Sequence, residues 1–323
     1  MDLMNFLSAL RNGEGVQIDE SKMSRLDDLE DKGVAIDIFD DSYVDILEHY
    51  VNYGELPKGE KAWDFLDIIE EHGFTLEEIV AFHQFSEGSN MIKSFENGIS
   101  KEEIQKGIVK DLIDSLDARG MSEEEIKKVF NYCEEAIGFS PLAKQYEYIK
   151  TLVKSPYDTS VCTYLRNLER LENIEKTVEN LKSCLNHPIG HELTVYRAVD
   201  EKWMKEKLGI EDLSEAVGRE LPKDSFMSTS LGYGTSFAKY DEYNVVFEIK
   251  VPKEAKGFYG TSVSTYGSDE DELLLKDARV VLGKVNPNFI DEKGKQKILI
   301  EAEVIPNELE NKKEKDEKIE IDL

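Results

Sequence analysis

Apolar positions recur at helical spacing in the first half of the chain and alternate with polar ones in the second. Three segments share one start pattern: "FTLEEI" (74–79), "ISKEEI" (99–104) and "MSEEEI" (121–126). Each places Thr or Ser before a Glu three residues on, the pattern of a reciprocal helix N-cap. The apolar residue before each cap (Phe74, Ile99, Met121) is spaced to meet the isoleucine five places later (Ile79, Ile104, Ile126). Acids in each first turn suit the helix dipole. The segment "ENIEKTVENLKSCL" keeps helical periodicity through Ile174, Val178, Leu181 and Leu185, and Pro188 and Gly190 end it.

After position 190 the period falls to two. "ELTVYRAV" (192–199), "DSFMSTSL" (224–231), "NVVFEIKV" (244–251), "ARVVLGKV" (278–285) and "QKILIEAEVI" (296–305) are strand candidates between Gly, Pro and Asp clusters. Helices first and strands afterwards indicate an α+β fold, not a wound parallel sheet. The last residues, 306–323, are charged and without pattern, and read as a solvated tail.

One stretch breaks the pattern. In "YGSDEDELLL" (266–275) four acids stand directly before three leucines that open a buried strand. In an extended segment Glu270 and Glu272 share a face and Asp271 takes the other. Paired carboxylates raise each other's pKa, which suits acid–base work. A solvated acidic turn is the ordinary explanation of such a run.

The 323 residues suffice for two domains, and the net charge is −28. Residues 1–120 hold 28 acids and 11 bases. So acidic a surface argues against nucleic acid as a partner. No stretch approaches the ~20 apolar residues of a membrane span. The N-terminus lacks a basic region and carries Asp2, so no signal peptide is expected. Three scattered cysteines argue for synthesis in a reducing cytoplasm. The five histidines form no ligand set, and no metal is expected. Trp63 and Trp203 read as core residues.

Three more features carry chemistry. Arg197 lies inside an apolar strand and needs an anion, either an acidic side chain or a bidentate phosphate. In "SFMSTS", Ser228 and Ser230 share one strand face and Thr229 takes the other. Small hydroxyls there admit a flat ligand and can orient a carboxylate. "LGYGTSFAKY" (231–240) offers a tight loop and the ring of Phe237. It lacks the third glycine and the βαβ setting of a dinucleotide fingerprint.

The order Arg, Ser-Thr-Ser, Gly/Phe loop, Glu-x-Glu resembles the mono-ADP-ribosyltransferases, above all clostridial binary actin-modifying toxins and Rho-modifying exoenzymes. "YLR" at 164–166 and "FAK" at 237–239 extend the likeness, which covers about 145–300. The resemblance implies two packed, mainly antiparallel sheets with flanking helices over 121–305. An acidic helical domain of unassigned role, 1–120, would precede them. It further implies NAD as substrate, without metal. Arg197 and Arg166 would hold its phosphates, and Ser228, Thr229 and Ser230 would line the nicotinamide site. Phe237 would stack on the nicotinamide. Glu272 would steady an oxocarbenium-like transition state, with Ser228 orienting it, and Glu270 would take the acceptor's proton. In that family Glu at the first position accompanies arginine acceptors, and Gln accompanies asparagine. Tyr266 would recognise the acceptor, a protein such as actin or a small GTPase, although it stands four residues before Glu270 where three are expected. Tyr240 stands where the actin-modifying toxins carry a basic residue.

The expected activity is transfer of ADP-ribose to a protein arginine, with slow NAD hydrolysis alongside, by a bacterial or phage effector delivered to its target by another route. Residues 1–120 would offer a docking surface. Two alternatives stay open: a non-catalytic adaptor built on a degenerate transferase fold, and a phage or bacterial structural protein.

Overall fold

The computed structural model describes residues 36–39, 41–153, 159–291 and 293–305. Among these described residues eight helices come first: α1 (Val44–Tyr53), α2 (Glu60–Glu71), α3 (Leu76–Glu96), α4 (Lys101–Asp117), α5 (Glu123–Ile137), α6 (Leu142–Leu152), α7 (Thr159–Glu172) and α8 (Ile174–Cys184). Then follow β1 (Leu193–Val199), α9 (Glu201–Leu208), β2 (Asp224–Ser230), β3 (Val245–Val251), β4 (Gly257–Tyr259), β5 (Glu272–Ile290) and β6 (Gln296–Ile305). The fold is α+β, as the two periodicities indicate. The tail at 306–323 and residues 1–35 lie outside the described residues.

All three expected caps start helices. Thr75 opens α3 and Ser122 opens α5 with reciprocal bonds to Glu78 and Glu125. Ser100 opens α4 and accepts from the Glu103 amide at 3.2 Å. Each such cap is worth about 1 kcal/mol. Helix α3 runs for 21 residues but breaks at Gly88, whose φ and ψ (−133° and 31°) are not helical.

The strands pair in the order β2-β1-β3-β6-β5-β4, and β2 also pairs β5. The two packed, mainly antiparallel sheets expected are joined into one six-stranded sheet among the described residues, and the long β5 joins them. From Glu272 to Ala278 it pairs β2, and from Arg279 to Ile290 it pairs β6. Among the described residues only the β3–β6 pair is parallel.

Where β2, β4 and β5 run side by side, alternation gives two faces. Phe226, Phe258 and Leu274 face the helices, and Met227, Tyr259, Leu273 and Leu275 face the β-side core. The helical core is continuous across position 120, from Phe39, Phe65 and Phe82 to Cys133, Leu165, Leu181 and Phe258. Phe82 of α3 packs so closely on the chain after β4 that a Cβ on Gly260 would lie 2.0 Å from its ring. Burying such a phenylalanine stabilises by about 1.5–3 kcal/mol.

The tryptophans depart from expectation. Trp63 is 67% exposed and Trp203 is 37% exposed. On α2 the inward positions are Ala62, Phe65 and Ile69, a helical stripe that position 63 falls outside. None of the three cysteines is in a disulfide among the described residues. Among the described residues no helix is long and apolar enough to cross a membrane.

Candidate active site

The acidic run that precedes the leucines is a tight turn, and the backbone shapes it more sharply than simple alternation. A 3-10 turn over Gly267–Asp269 leads to Glu270, and Asp271 then takes a left-handed conformation with φ 44°. Such a φ is uncommon outside glycine, although Asp tolerates it better than most. Its carbonyl accepts the Leu231 amide at 3.1 Å, which ties the turn to the end of β2. Asp271 is left 1% exposed beside the Tyr259 hydroxyl, while Glu270 and Glu272 both face one cavity of about 760 Å³. The shared face expected of the two glutamates is therefore present.

Register places the rest. Ser230 of β2 pairs with Glu272 and Ser228 with Leu274, so the two serines flank Glu272 on the cavity side. The Ser228 hydroxyl donates to Glu272 Oε1 at 2.5 Å. Thr229, one residue along, turns away and donates to the Leu273 carbonyl at 2.7 Å. It is buried and does not line the cavity, which is what strand alternation dictates for the residue between two lining serines.

Glu272 is only 5% exposed. Burial pushes its carboxyl up to about 7; the Ser228 hydrogen bond and the Lys93 charge oppose the rise, and the Glu270 charge adds to it. Burial also raises Glu270, against the neighbouring Lys239 charge and with the help of Asp269. The two carboxyls thus differ in environment, one enclosed and hydroxyl-bound, the other near the mouth. Such divergence is how two like groups take different proton-handling roles.

Arg197 of β1 lies on the cavity wall. One guanidinium nitrogen donates to the Ser228 carbonyl at 3.1 Å, and another lies 3.5 Å from Asp224 Oδ2. Both anion sources weighed for it thus bear on the geometry: a carboxylate partner is present, and an open cavity adjoins. Phe237 and Tyr266 line the same cavity, 44% and 50% exposed, and the Phe237 ring stacks on Tyr243 at 5.4 Å.

Arg166 is placed differently. It does not line the cavity; it reaches Glu87 Oε1 at 3.1 Å and the Tyr146 hydroxyl at 3.4 Å. Glu87, on α3, does line the cavity, and its other oxygen contacts Arg170. Arg166 and Arg170 are four residues apart on α7, one helical face, a spacing that could have flagged Arg170. Helix α3 also braces the chain before the acidic turn. His83 Nδ1 bonds the Val263 carbonyl at 2.9 Å, and Ser86 Oγ accepts the Thr265 amide at 3.1 Å. Burial lowers His83 to about 4, so it is neutral at physiological pH. Among the described residues no group of three or more His, Cys, Asp or Glu could hold a metal ion.

Residues 122–307 match the family model described as ADP-ribosyltransferase exoenzyme, more than half of the chain. No curated protein matches the sequence. Among solved structures, the enzymatic component C2-I of the C2-toxin from Clostridium botulinum is 24% identical, over 45% of this chain and 39% of that one (TM-score 0.33). The S. aureus C3 enzyme C3stau2, solved with NAD, is 21% identical over 58% and 97% of the two chains (TM-score 0.35). The C3 exoenzyme of Clostridium limosum is 14% identical over 78% and 97% (TM-score 0.38). The matched part thus spans about two fifths of the C2-I chain.

Proposed function

Because the chain belongs to the ADP-ribosyltransferase exoenzyme family, we propose that it moves ADP-ribose from NAD to an arginine of a protein acceptor and releases nicotinamide. The observation that carries this reading is a buried glutamate, bound by a serine hydroxyl, beside an arginine and a second glutamate in one cavity. In the proposed reaction the bond between the nicotinamide-ribose C1′ and the nicotinamide nitrogen breaks, and the electron pair leaves with nicotinamide. Glu272 faces the positive charge that develops on the ribose. A fixed carboxylate in a dry site is worth far more there than in water.

An acceptor nitrogen then bonds C1′, and Glu270 takes its proton. Arginine carries a pKa above 12 and needs a neighbouring base as the bond forms. A glutamine at position 270 could not do this, so Glu270 favours arginine over an amide acceptor. Arg197 offers the guanidinium fork that suits the NAD diphosphate. With no acceptor bound, water attacks instead, and slow NAD hydrolysis follows.

The test is incubation with labelled NAD and a cell lysate, followed by mass spectrometry of the labelled protein. ADP-ribose on arginine supports the reading. ADP-ribose on asparagine or another side chain removes the arginine assignment, and no label together with no NAD cleavage removes the transferase itself.

A further inference from the structure

The family match begins at residue 122, yet the cavity has a wall that precedes it. Residues of α3 from Phe85 to Met91 with Lys93 and Ser94, and one face of α4 that includes Glu103, Ile104 and Gly107, line the same cavity as Arg197, Ser228, Glu270 and Glu272. From this wall Lys93 brings a cation. Its ammonium lies 3.5 Å from Asp224 Oδ2, the same oxygen that Arg197 approaches at 3.5 Å. Its side chain is three-quarters buried and passes over the Phe85 ring at 5.7 Å.

At Asp224 two cations share one carboxylate, and the other acid acting on Lys93 is the buried Glu272, whose own carboxyl is raised to about 7. Lys93 has three donors, and the Asp224 contact, at the outer limit of hydrogen bonding, occupies at most one. Holding two long cationic side chains part-buried around one anion is costly unless a further anion arrives. The NAD diphosphate brings two negative charges. We infer that Lys93 is a diphosphate-binding residue of the NAD site, acting beside Arg197, so that α3 is a working part of the site. This inference rests on the transferase reading and deepens it.

The arrangement also gives Asp224 a purpose. It holds both cations on the cavity wall, at the first residue of the strand that presents Ser228. Lysine binds phosphate as a point charge and arginine as a fork, so the pair covers two phosphates in different ways. Ion pairing with Asp224 alone would make Lys93 a structural strut, and the two roles separate by experiment.

ADP-ribose serves as the probe, since it carries the diphosphate without nicotinamide. Calorimetric titration of the full chain is expected to show Kd about tenfold weaker for Lys93→Met, a loss of about 1.4 kcal/mol. Lys93→Arg should restore it to within about threefold, and the KM for NAD should move with Kd in both variants. The Lys93→Met loss should persist in an Asp224→Asn background. An unchanged Kd overturns the inference, as does a loss that vanishes with Asp224→Asn or one that falls on kcat alone. Should Lys93→Met fail to fold by circular dichroism, Lys93→Gln is read by the same criteria. A wild-type protein that binds neither ADP-ribose nor NAD overturns the transferase reading itself; wild-type binding with an unmoved variant overturns only the part given to Lys93.

Discussion

Replacing Glu272 with glutamine should stabilise the protein at alkaline pH while it cuts NAD cleavage by about 10²–10³-fold. Burial lifts this carboxyl from 4.5 to about 7. At about 1.4 kcal/mol per pH unit, the folded state bears a cost of about 3 kcal/mol for holding the ionised form. The sign follows from proton counts. Between pH 4.5 and 7 the native state binds more protons at this site than the unfolded chain, so stability falls as pH rises through that window. Glutamine has no charge to bury and can still accept from Ser228.

Urea unfolding of both proteins at about pH 5 and about pH 8.5 isolates the effect, because groups that titrate in both drop out of the difference. The variant should gain about 2–3 kcal/mol on wild type between those two pH values. A difference that is flat with pH, or that slopes the other way, would refute the assignment of a buried, charge-bearing Glu272. Activity should run opposite. The kcat/KM profile for NAD cleavage reports groups of the free enzyme, and should fall below about pH 7 as Glu272 takes a proton. The variant should lose about 10²–10³-fold in kcat, by analogy with removing one preorganised transition-state contact. The glutamate would then exemplify a residue that costs stability where it serves chemistry.

Glu270→Gln should separate two activities: transfer to arginine drops by a large factor while NAD hydrolysis, followed by nicotinamide release, persists. A parallel fall in both would make Glu270 a positioning residue. Arg197→Lys should raise the KM for NAD about tenfold, because an ammonium cannot reproduce a bidentate contact; an unchanged KM would leave Arg197 as the structural partner of Asp224. Gly260→Ala should destabilise by about 1–3 kcal/mol through overpacking against Phe82. Its φ of −129° is open to any residue, so a thermal melt unchanged from wild type would contradict the close approach of α3.

The features legible in sequence are those fixed by near neighbours. Thr75, Ser100 and Ser122 mark helix starts because a cap bonds only three residues away. The five alternating segments became strands or parts of strands, while Glu270 and Glu272 share the cavity through a turn with a left-handed Asp271 and not through strand alternation. β4 escaped notice because it has only three residues, Gly257–Tyr259, too few to show a period. The α3 wall was illegible for a different reason. Lys93 and Asp224 are 131 positions apart, and nothing local to "MIKSFE" marks a lysine that will meet a strand. Arg166 shows the same limit: its motif was visible, while its partner Glu87 on α3 was not.

The acidity of the chain and its reading as an NAD enzyme are compatible once range is considered. A net charge of −28 repels anions at a distance, but salt screens that repulsion beyond about 8 Å at physiological ionic strength. A nucleic-acid polymer must lie along many such lengths of surface and meets the repulsion throughout. A dinucleotide enters one cavity and meets the charges lining it. At about 4 Å and an effective dielectric near 20, each cation there is worth about 4 kcal/mol of attraction. Arg197 and Lys93 converge from facing walls and share a single carboxylate between them. Local geometry can therefore outweigh global charge for a small anion and not for a long one, which keeps the acidity of the surface compatible with a diphosphate beside Arg197 and Lys93.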